Sequence, residues 1–258
     1  RESLEGASRA TFFLCVRDQL DLPELLRMHL LAEGHEVHAL SYDYGQKHRL
    51  ELDRAKANVA YLASNDIHIT HKIVDLRSAM SPFYSALTTE DYEIPEGHYE
   101  EEQMKQTVVP NRNAIFSSVL YGHALSLALK RNWEIRIALG VHSGDHAIYP
   151  DCRPEFYGAL ENAFQIGNYS SEKVSFYLPY IGGDKETILK DAERSLDKLV
   201  SISISSLPIP LPATIRTRWA GVVARAGRTW NGFWPSTRLA VPIRSPTSSP
   251  GPRYFRMQ

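Results

Sequence analysis

The hydrophobic and polar positions of this chain follow two alternating periods, which predict strands and helices in turn. Short apolar or alternating segments predict strands at residues 10–16, 36–44, 67–74, 134–141 and 174–178. Helical spacing and helix-start signals predict helices at residues 20–33, 47–63, 113–131, 153–166 and 184–199. Because strands and helices alternate, we expect an α/β protein with a parallel sheet and right-handed crossovers.

Single residues mark the ends of several predicted elements. Pro23 is expected to break the first helix near its start, and Gly34 to end it. Asn113 and Asp184 are expected to cap the helices that follow them. Residues 77–106 have no sustained period and predict a long loop, which in compact domains is usually a functional lid or disordered.

Composition favours a soluble globular protein. A chain of 258 residues with 43% hydrophobic residues can bury a full core, as one large α/β domain or one domain with an appendage. No apolar run is long enough to span a bilayer, and the first residues lack the pattern of a signal peptide. We therefore expect a cytoplasmic protein without a membrane partner. Cys15 and Cys152 are too few for a disulfide framework or a four-cysteine zinc site.

Charge is distributed unevenly along the chain. Residues 198–258 contain one lysine, eight arginines and no acidic residue, whereas residues 1–197 contain 20 basic and 30 acidic residues. A basic segment can bind nucleic acid, but a true arm usually combines lysine with arginine and adds stacking aromatic residues. We therefore expect no nucleic-acid partner.

Polar side chains gather where the predicted strands end, which is where parallel sheets bind ligands. They are Tyr42, Asp43, Tyr44, Gln46 and His48 after the second strand, and His142, Ser143, Asp145, His146 and Tyr149 after the fourth. Arg112 lies at a predicted helix N-terminus, where a guanidinium suits phosphate, and Lys185 and Glu186 begin the last helix. Together these residues indicate an anionic, nucleotide-like ligand with a polar heterocycle.

Each candidate also has a purely structural interpretation. Arg112 could equally close a surface turn, and Tyr42 and Tyr44 are more typical of a half-buried strand face. His142 and His146 could suggest a metal site, but without a third ligand that is the weaker interpretation. Cys152 could be an activated thiol or an inert buried cysteine.

Four segments together resemble the 7-cyano-7-deazaguanine synthase family over about Leu31 to Leu196. They read YDYGQKHRLELDRAK, VVPNRNAIFSSVLYGHAL, LGVHSGDHAIYPDCRPEF and LPYIGGDKETI, in family order and with natural spacing. The resemblance implies a doubly wound, Rossmann-like parallel sheet of the adenine nucleotide alpha hydrolase type. It also implies an ATP-dependent ligase, using magnesium with ATP, that makes 7-cyano-7-deazaguanine for queuosine biosynthesis from 7-carboxy-7-deazaguanine and ammonia.

The resemblance assigns roles residue by residue. The family's Pro-Gly-Arg-Asn turn corresponds to residues 110–113, with Asn111 in place of the glycine. Arg112, Asn113 and Lys185 are then expected to contact ATP or its phosphates. Asp145, Tyr149, Asp151 and Arg153 lie in the substrate segments, and either Asp145 or Asp151 is expected to read the N–H edge of the base. The resemblance also points to a homodimer.

Two family features are missing from this sequence. The family's first strand leads into Ser-Gly-Gly-x-Asp-Ser, a glycine loop that binds the ATP pyrophosphate, but here FLCVRDQLDLPEL has no glycine between Gly6 and Gly34. The family's four-cysteine zinc site is also absent, since no cysteine follows Cys152. We therefore expect a nucleotide-binding domain at 1–199 and an unpacked, out-of-frame tail at 200–258, with frameshifts near residue 200 and before about Leu30.

Three functions remain open from the sequence. The first is the active synthase. The second is an inactive remnant that still binds a nucleotide or deazaguanine. The third is another ATP-pyrophosphatase-type ligase, which the Tyr-Pro-Asp-Cys-Arg segment at 149–153 argues against.

Overall fold

The protein is an α/β structure whose strands and helices alternate as predicted. A computed structural model describes residues 11–16, 22–46, 50–64, 67–85, 88, 108–145, 149–206 and 221. The strands are β1 (Thr11–Val16), β2 (Glu36–Asp43), β3 (Thr70–Asp75), β4 (Ile135–Ala138) and β5 (Val174–Tyr177). The helices are α1 (Leu22–Ala32), α2 (Leu50–Ala63), α3 (Arg77–Met80), α4 (Arg112–Arg131), α5 (Pro154–Gly167) and α6 (Lys185–Ser206).

The described strands form one parallel sheet in the order β3-β2-β1-β4-β5. In the central strand, Thr11 lies opposite Glu36 on one side and Ile135 on the other. The chain moves outward from β1 to β3 and then returns to place β4 on the opposite side of β1. A crevice forms outside the carboxyl ends of the strands where such a reversal occurs, here between β1 and β4.

Two apolar clusters cover the sheet. Val37 of β2 belongs to the cluster of α1 and α6, whereas Leu40 of the same strand belongs to the cluster of α4. In β4, Ala138 belongs to the cluster of α1 and α6, and Ile137 belongs to the cluster of α4. Because successive strand residues point to opposite faces, the two clusters lie on opposite faces of the sheet. The sheet is therefore covered on both faces at β2 and β4, whereas β3 at its edge is largely exposed.

Several predicted boundaries differ from those in the structure. Pro23 lies in the first turn of α1 and does not break it, because the first N–H groups of a helix need no intrahelical partner. The next difference is at α4, which begins at Arg112, so the prediction that Asn113 caps this helix was wrong. At the far end of the chain, α6 continues to Ser206, beyond the predicted end at residue 199. Within the predicted long loop, α3 is a short helix, and most of residues 86–107 lie outside the described part.

Gly34 ends α1 as predicted. Its backbone has φ of +78°, a conformation that glycine adopts without steric cost. The N–H of Gly34 donates to the carbonyl of Leu31, and the N–H of His35 donates to that of Leu30. These bonds satisfy carbonyls at the end of α1 and turn the chain into β2.

A polar network joins α1 to α6 beneath the sheet. The carboxylate of Asp191 accepts a hydrogen bond from the Tyr180 hydroxyl at 2.7 Å and lies 3.0 Å from Nδ1 of His29. The other ring nitrogen of His29 lies 2.9 Å from the hydroxyl of Tyr177. Burial acts to raise the pKa of Asp191, but the hydrogen bonds from His29 and Tyr180 outweigh it and lower that pKa. The network fixes α6 against α1.

The chain ends are only partly described. Residues 17–21, where the family's glycine loop was expected, lie outside the described residues, and so do residues 207–220 and 222–258 of the basic segment. The proposed division of the chain near residue 199 therefore stays a prediction. Among the helices that are described, none combines the length and apolar character needed to cross a membrane.

Candidate functional site

The candidate site lies at the carboxyl edge of the sheet. In parallel α/β units each helix begins where the preceding strand ends, so the first residues of α4 and α6 lie at this edge. The segments after β2, β4 and β5 reach the same edge. This arrangement brings together residues from separate parts of the sequence: Tyr44, Arg112, Asn113, Ser143, Asp151 and Gly183.

Arg112 is the buried cation of this edge. Only 7% of the residue is exposed, and its Nη1 donates a hydrogen bond to the hydroxyl of Tyr44 at 3.3 Å. Its guanidinium carbon lies 6.0 Å from the centre of the Tyr44 ring. The preceding residue, Asn111, has φ of 58° and makes no side-chain bond to the helix. Arg112 is therefore a buried side chain at the start of a long helix and not a surface arginine.

Residues after β2 form the wall beside Arg112. The amide of Gln46 donates to the carbonyl of Tyr42 at 3.1 Å, and its oxygen accepts from the N–H of Tyr44 at 3.0 Å. The hydroxyl of Tyr42 donates to the carbonyl of Phe116 at 2.9 Å, and the two rings stack 4.2 Å apart. Tyr42 and Tyr44 are therefore buried side chains that fix the β2 segment against α4.

Asn113 connects α4 to the segment before α5. Its Nδ2 donates to the carbonyl of Asp151 at 3.2 Å and lies 3.7 Å from Sγ of Cys152. Cys152 is fully buried, which favours the interpretation as an inert cysteine. The Asn113 side chain thus fixes one end of the Tyr149–Arg153 segment against the start of α4.

The loop after β4 is joined to the loop after β5. Both the N–H and the hydroxyl of Ser143 donate to the carbonyl of Gly183, at 2.9 and 2.7 Å. The neighbouring His142 is fully buried, and its Nδ1 accepts from the N–H of Gly144 at 3.1 Å. A Cβ atom at Gly144 would lie 2.9 Å from the His142 ring, so this close approach requires glycine.

The start of α6 is capped as predicted. Oδ1 of Asp184 accepts from both the N–H and the hydroxyl of Thr187, each at 2.8 Å. The backbone hydrogen bond from Thr187, followed by the hydroxyl bond, lowers the pKa of Asp184. Lys185, the next residue, is half-buried in the first turn of α6. The cap therefore places a lysine beside the Gly183 contact with Ser143.

The other predicted site residues differ in how they are placed. Tyr149 is buried, Asp151 is half-buried and Arg153 is exposed. The backbone of Asp145 lies in a single 3-10 turn, but its side chain, like His48 and His146, is outside the described residues. The described residues contain no cluster of three or more His, Cys, Asp or Glu side chains that could bind a metal.

Sequence reasoning missed two contacts of this site. Gly183 was quoted within a family segment but was given no role, although its carbonyl is the acceptor that joins two loops. Gln46 was named as a strand-end residue without its bridging role. The Gly-Gly-Asp sequence before a predicted helix was the available signal, because glycines commonly allow close backbone approach.

The sequence comparison decides the family. The model of a family described as "Queuosine biosynthesis protein QueC" matches residues 24–205, well over half of the chain. The chain belongs to the QueC family. The match begins within α1 and ends within the last turn of α6, so it extends beyond the resemblance at Leu31 to Leu196 on both sides.

Curated relatives agree with the QueC assignment. The chain is 46% identical over 160 residues to "7-cyano-7-deazaguanine synthase 2" of Colwellia psychrerythraea, covering 62% of this chain and 68% of that protein. It is 44% identical over 161 residues to "7-cyano-7-deazaguanine synthase" of Pseudoalteromonas translucida, with the same coverage of each chain. A protein of that name from Alteromonas mediterranea is 46% identical over 161 residues, again covering 62% and 68%.

Proposed function

We propose that this protein is a 7-cyano-7-deazaguanine synthase of queuosine biosynthesis. The observation that carries the proposal is the match to the QueC family over residues 24–205, which contain the whole described site. The identity of 44–46% to synthases extends over 160–161 residues of the chain. A different ATP-pyrophosphatase-type ligase is disfavoured by this match.

The proposed fold is a doubly wound, Rossmann-like sheet of the adenine nucleotide alpha hydrolase type. Two features support it: the reversal of strand order between β1 and β4, and the separate apolar clusters on the two faces. Such folds bind nucleotides at the carboxyl edge where the order reverses. The buried Arg112 lies at that edge.

ATP, with magnesium, is the proposed co-substrate, and it supplies adenylation of the substrate carboxylate. The residues present suit its phosphates: Arg112 offers a buried guanidinium at a helix N-terminus, and Lys185 offers an ammonium at the start of α6. Their positive charge would stabilise the negative charge that develops on the phosphate oxygens as the adenylyl group is transferred and pyrophosphate leaves. Both groups act by position and charge, without a covalent step.

The proposed substrate segment is Tyr149–Arg153 together with Asp145. A carboxylate at Asp145 or Asp151 would accept the adjacent N–H groups of the deazaguanine. Tyr149 offers a buried ring beside it, and the exposed Arg153 offers a cation for the substrate carboxylate. Ammonia would then attack the adenylated carboxyl carbon and displace AMP to give an amide. Adenylation of the amide oxygen by a second ATP, followed by loss of AMP and of the two N–H protons, would give the nitrile.

The zinc expected of the family does not fit this chain. Its sequence contains two cysteines, Cys15 and Cys152, and Cys152 is buried against Asn113. Four cysteine ligands are therefore unobtainable from one chain. No step of the proposed reaction depends on zinc. We propose further that the protein acts in the cytoplasm as a homodimer on small molecules, without a nucleic-acid partner.

A second candidate function is a remnant that binds ligands without turnover. The observation that favours it is the lack of glycine between Gly6 and Gly34, where the family's pyrophosphate loop is expected. The test is to incubate the full chain with 7-carboxy-7-deazaguanine, ATP and ammonium, and to measure the nitrile. The synthase predicts formation of the nitrile, whereas the remnant predicts binding of the substrates by calorimetry with little or no turnover. A normal rate would establish the active synthase, and absence of binding would refute both candidates.

A further inference from the structure

The amide nitrogen of Asn113 is directed at the segment before α5. An asparagine NH2 carries two hydrogens. Its Nδ2 makes two contacts, one to the carbonyl oxygen of Asp151 at 3.2 Å and one to Sγ of Cys152 at 3.7 Å. An ionised phosphate oxygen accepts hydrogen bonds and cannot donate them. Asn113 is therefore poorly suited to the phosphate contact that the family resemblance implied.

The orientation of this amide is fixed by its neighbours. If the amide were turned by 180°, Oδ1 would face the carbonyl oxygen of Asp151, and two acceptors would meet. The observed orientation places the donor against that carbonyl and leaves Oδ1 on the other side. The oxygen of Asn113 is thus held in one direction by the segment before α5.

That oxygen is buried and has no partner. Only 2% of Asn113 is exposed, and Oδ1 makes no hydrogen bond within the described structure. Buried acceptors almost always have a donor, because leaving one unsatisfied is costly. Asn113 lies in the first turn of α4, directly after the buried cation of Arg112. An acceptor beside a cation suits a ligand that carries an N–H group near an anionic group.

We propose that Oδ1 of Asn113 accepts a hydrogen bond from the N–H edge of a purine-like heterocycle, and that Asn113 does not bind phosphate. The inference rests on the proposed function, whose reactants include two such rings, adenine and the deazaguanine. A rigid ring suits the fixed direction of Oδ1 better than ammonia, which turns freely. Asn113 is therefore a specificity-determining residue. Of the two neighbours Arg112 and Asn113, only Arg112 contacts the anion.

The test is calorimetric binding to the full chain, which does not depend on turnover. The first probe is inorganic pyrophosphate, which has phosphate oxygens but no ring. The other two are adenosine and 7-carboxy-7-deazaguanine, which are heterocycles with N–H groups. For Asn113→Leu we expect pyrophosphate affinity within about twofold of the parent, and affinity for one of the heterocycles lowered by about tenfold or more. The heterocycle that is affected identifies the ring.

Two further variants complete the design. Asn113→Asp keeps an acceptor but adds negative charge, so it should bind pyrophosphate more weakly while retaining more heterocycle affinity than Asn113→Leu. Asn162→Leu, on the exposed side of α5, is the matched control and should bind every probe as the parent does. If Asn113→Leu does not fold by circular dichroism, Asn113→Ala takes its place with the same expected pattern.

The possible outcomes separate this inference from the proposed function. If the parent binds the probes and the Asn113 variants lose pyrophosphate while keeping both heterocycles, the inference is overturned. Unchanged binding of all probes overturns it as well. If the parent itself binds none of the three probes, the proposed function fails, and the inference fails with it.

Discussion

The Arg112 guanidinium donates a hydrogen bond to the Tyr44 hydroxyl across 3.3 Å, although the two residues are 68 positions apart in the chain. The bond joins the start of α4 to the segment that follows β2. Since the Tyr44 ring also packs edge-on against Phe116 of α4, the tyrosine cannot move without the helix. The cation at the carboxyl edge is thereby held in one place.

Replacing Arg112 by alanine should weaken pyrophosphate binding by roughly 10- to 100-fold, as expected for the loss of charge-assisted hydrogen bonds. Arg112→Lys should recover only part of the affinity, because an ammonium lacks the planar fork of donors. Calorimetry with pyrophosphate measures both effects. Arg131→Lys, in the last turn of the same helix, is the matched control and should bind normally. Normal binding by Arg112→Ala would contradict the phosphate role.

Replacing Tyr44 by phenylalanine should weaken pyrophosphate binding by roughly fivefold, because the hydrogen bond from the guanidinium to the Tyr44 hydroxyl orients Arg112. The ring contact with Phe116 remains, so the free energy of unfolding should fall only by the roughly 1 kcal/mol or more that the lost hydrogen bond contributes. Calorimetry and urea unfolding measure the two effects. Tyr169→Phe, at an almost fully exposed ring, is the control. Unchanged pyrophosphate affinity in Tyr44→Phe would contradict the role of the hydroxyl in orienting Arg112.

Replacing Ser143 by alanine should lower the free energy of unfolding by about 1 kcal/mol, the usual net value of one hydrogen bond. The backbone N–H of Ser143 still donates to Gly183, so the two loops stay joined. Urea unfolding measures the change. Ser126→Ala removes an exposed hydroxyl bond within α4 and should cost less. An equal loss of unfolding free energy in the two variants would show that the Ser143 hydroxyl stabilises the protein no more than an exposed hydroxyl does.

The Asp191 network predicts how stability depends on acid. Because hydrogen bonds lower the folded-state pKa of Asp191, its contribution to stability is fully present above the ordinary value of 3.8 and is lost as pH falls through the folded-state pKa. Asp191→Asn should therefore flatten the acid side of the stability profile. Chemical unfolding at a series of pH values around and below 3.8 measures this dependence of the free energy of unfolding on pH. Asp53→Asn, at an exposed carboxylate, should leave the profile unchanged, and an identical slope in Asp191→Asn would contradict the assignment.

The order and type of the elements were predictable, but several boundaries and one cap were not. The apolar periods of β2 and α4 persist over many residues, so the patterns still predict a strand and a helix where single residues depart from them. Asn113 was predicted as a cap because asparagine commonly caps helices, but here Asn111 precedes the helix and Asn113 faces Asp151. A cap preference is worth about 1 kcal/mol, and a tertiary contact can override it.

The candidate site was predictable in its location rather than in its contacts. Arg112 and Asn113 could be named because they lie at the predicted start of an apolar helix and belong to a family segment. The bond from Ser143 to Gly183 could not be predicted, since it joins loops that are 40 residues apart. Such pairs depend on strand order, which local sequence does not encode.

The sequence by itself determined the alternation of strands and helices, the family, and the absence of a glycine loop and of four cysteines, since these follow from residue identity and short-range periodicity. Only the tertiary structure decided which side chains meet at the carboxyl edge. It buried Arg112 against Tyr44 and turned both amide hydrogens of Asn113 toward the segment before α5. The physical reason is that hydrogen-bond direction and burial depend on neighbours distant in the chain, and these are fixed only when the sheet and both apolar clusters assemble.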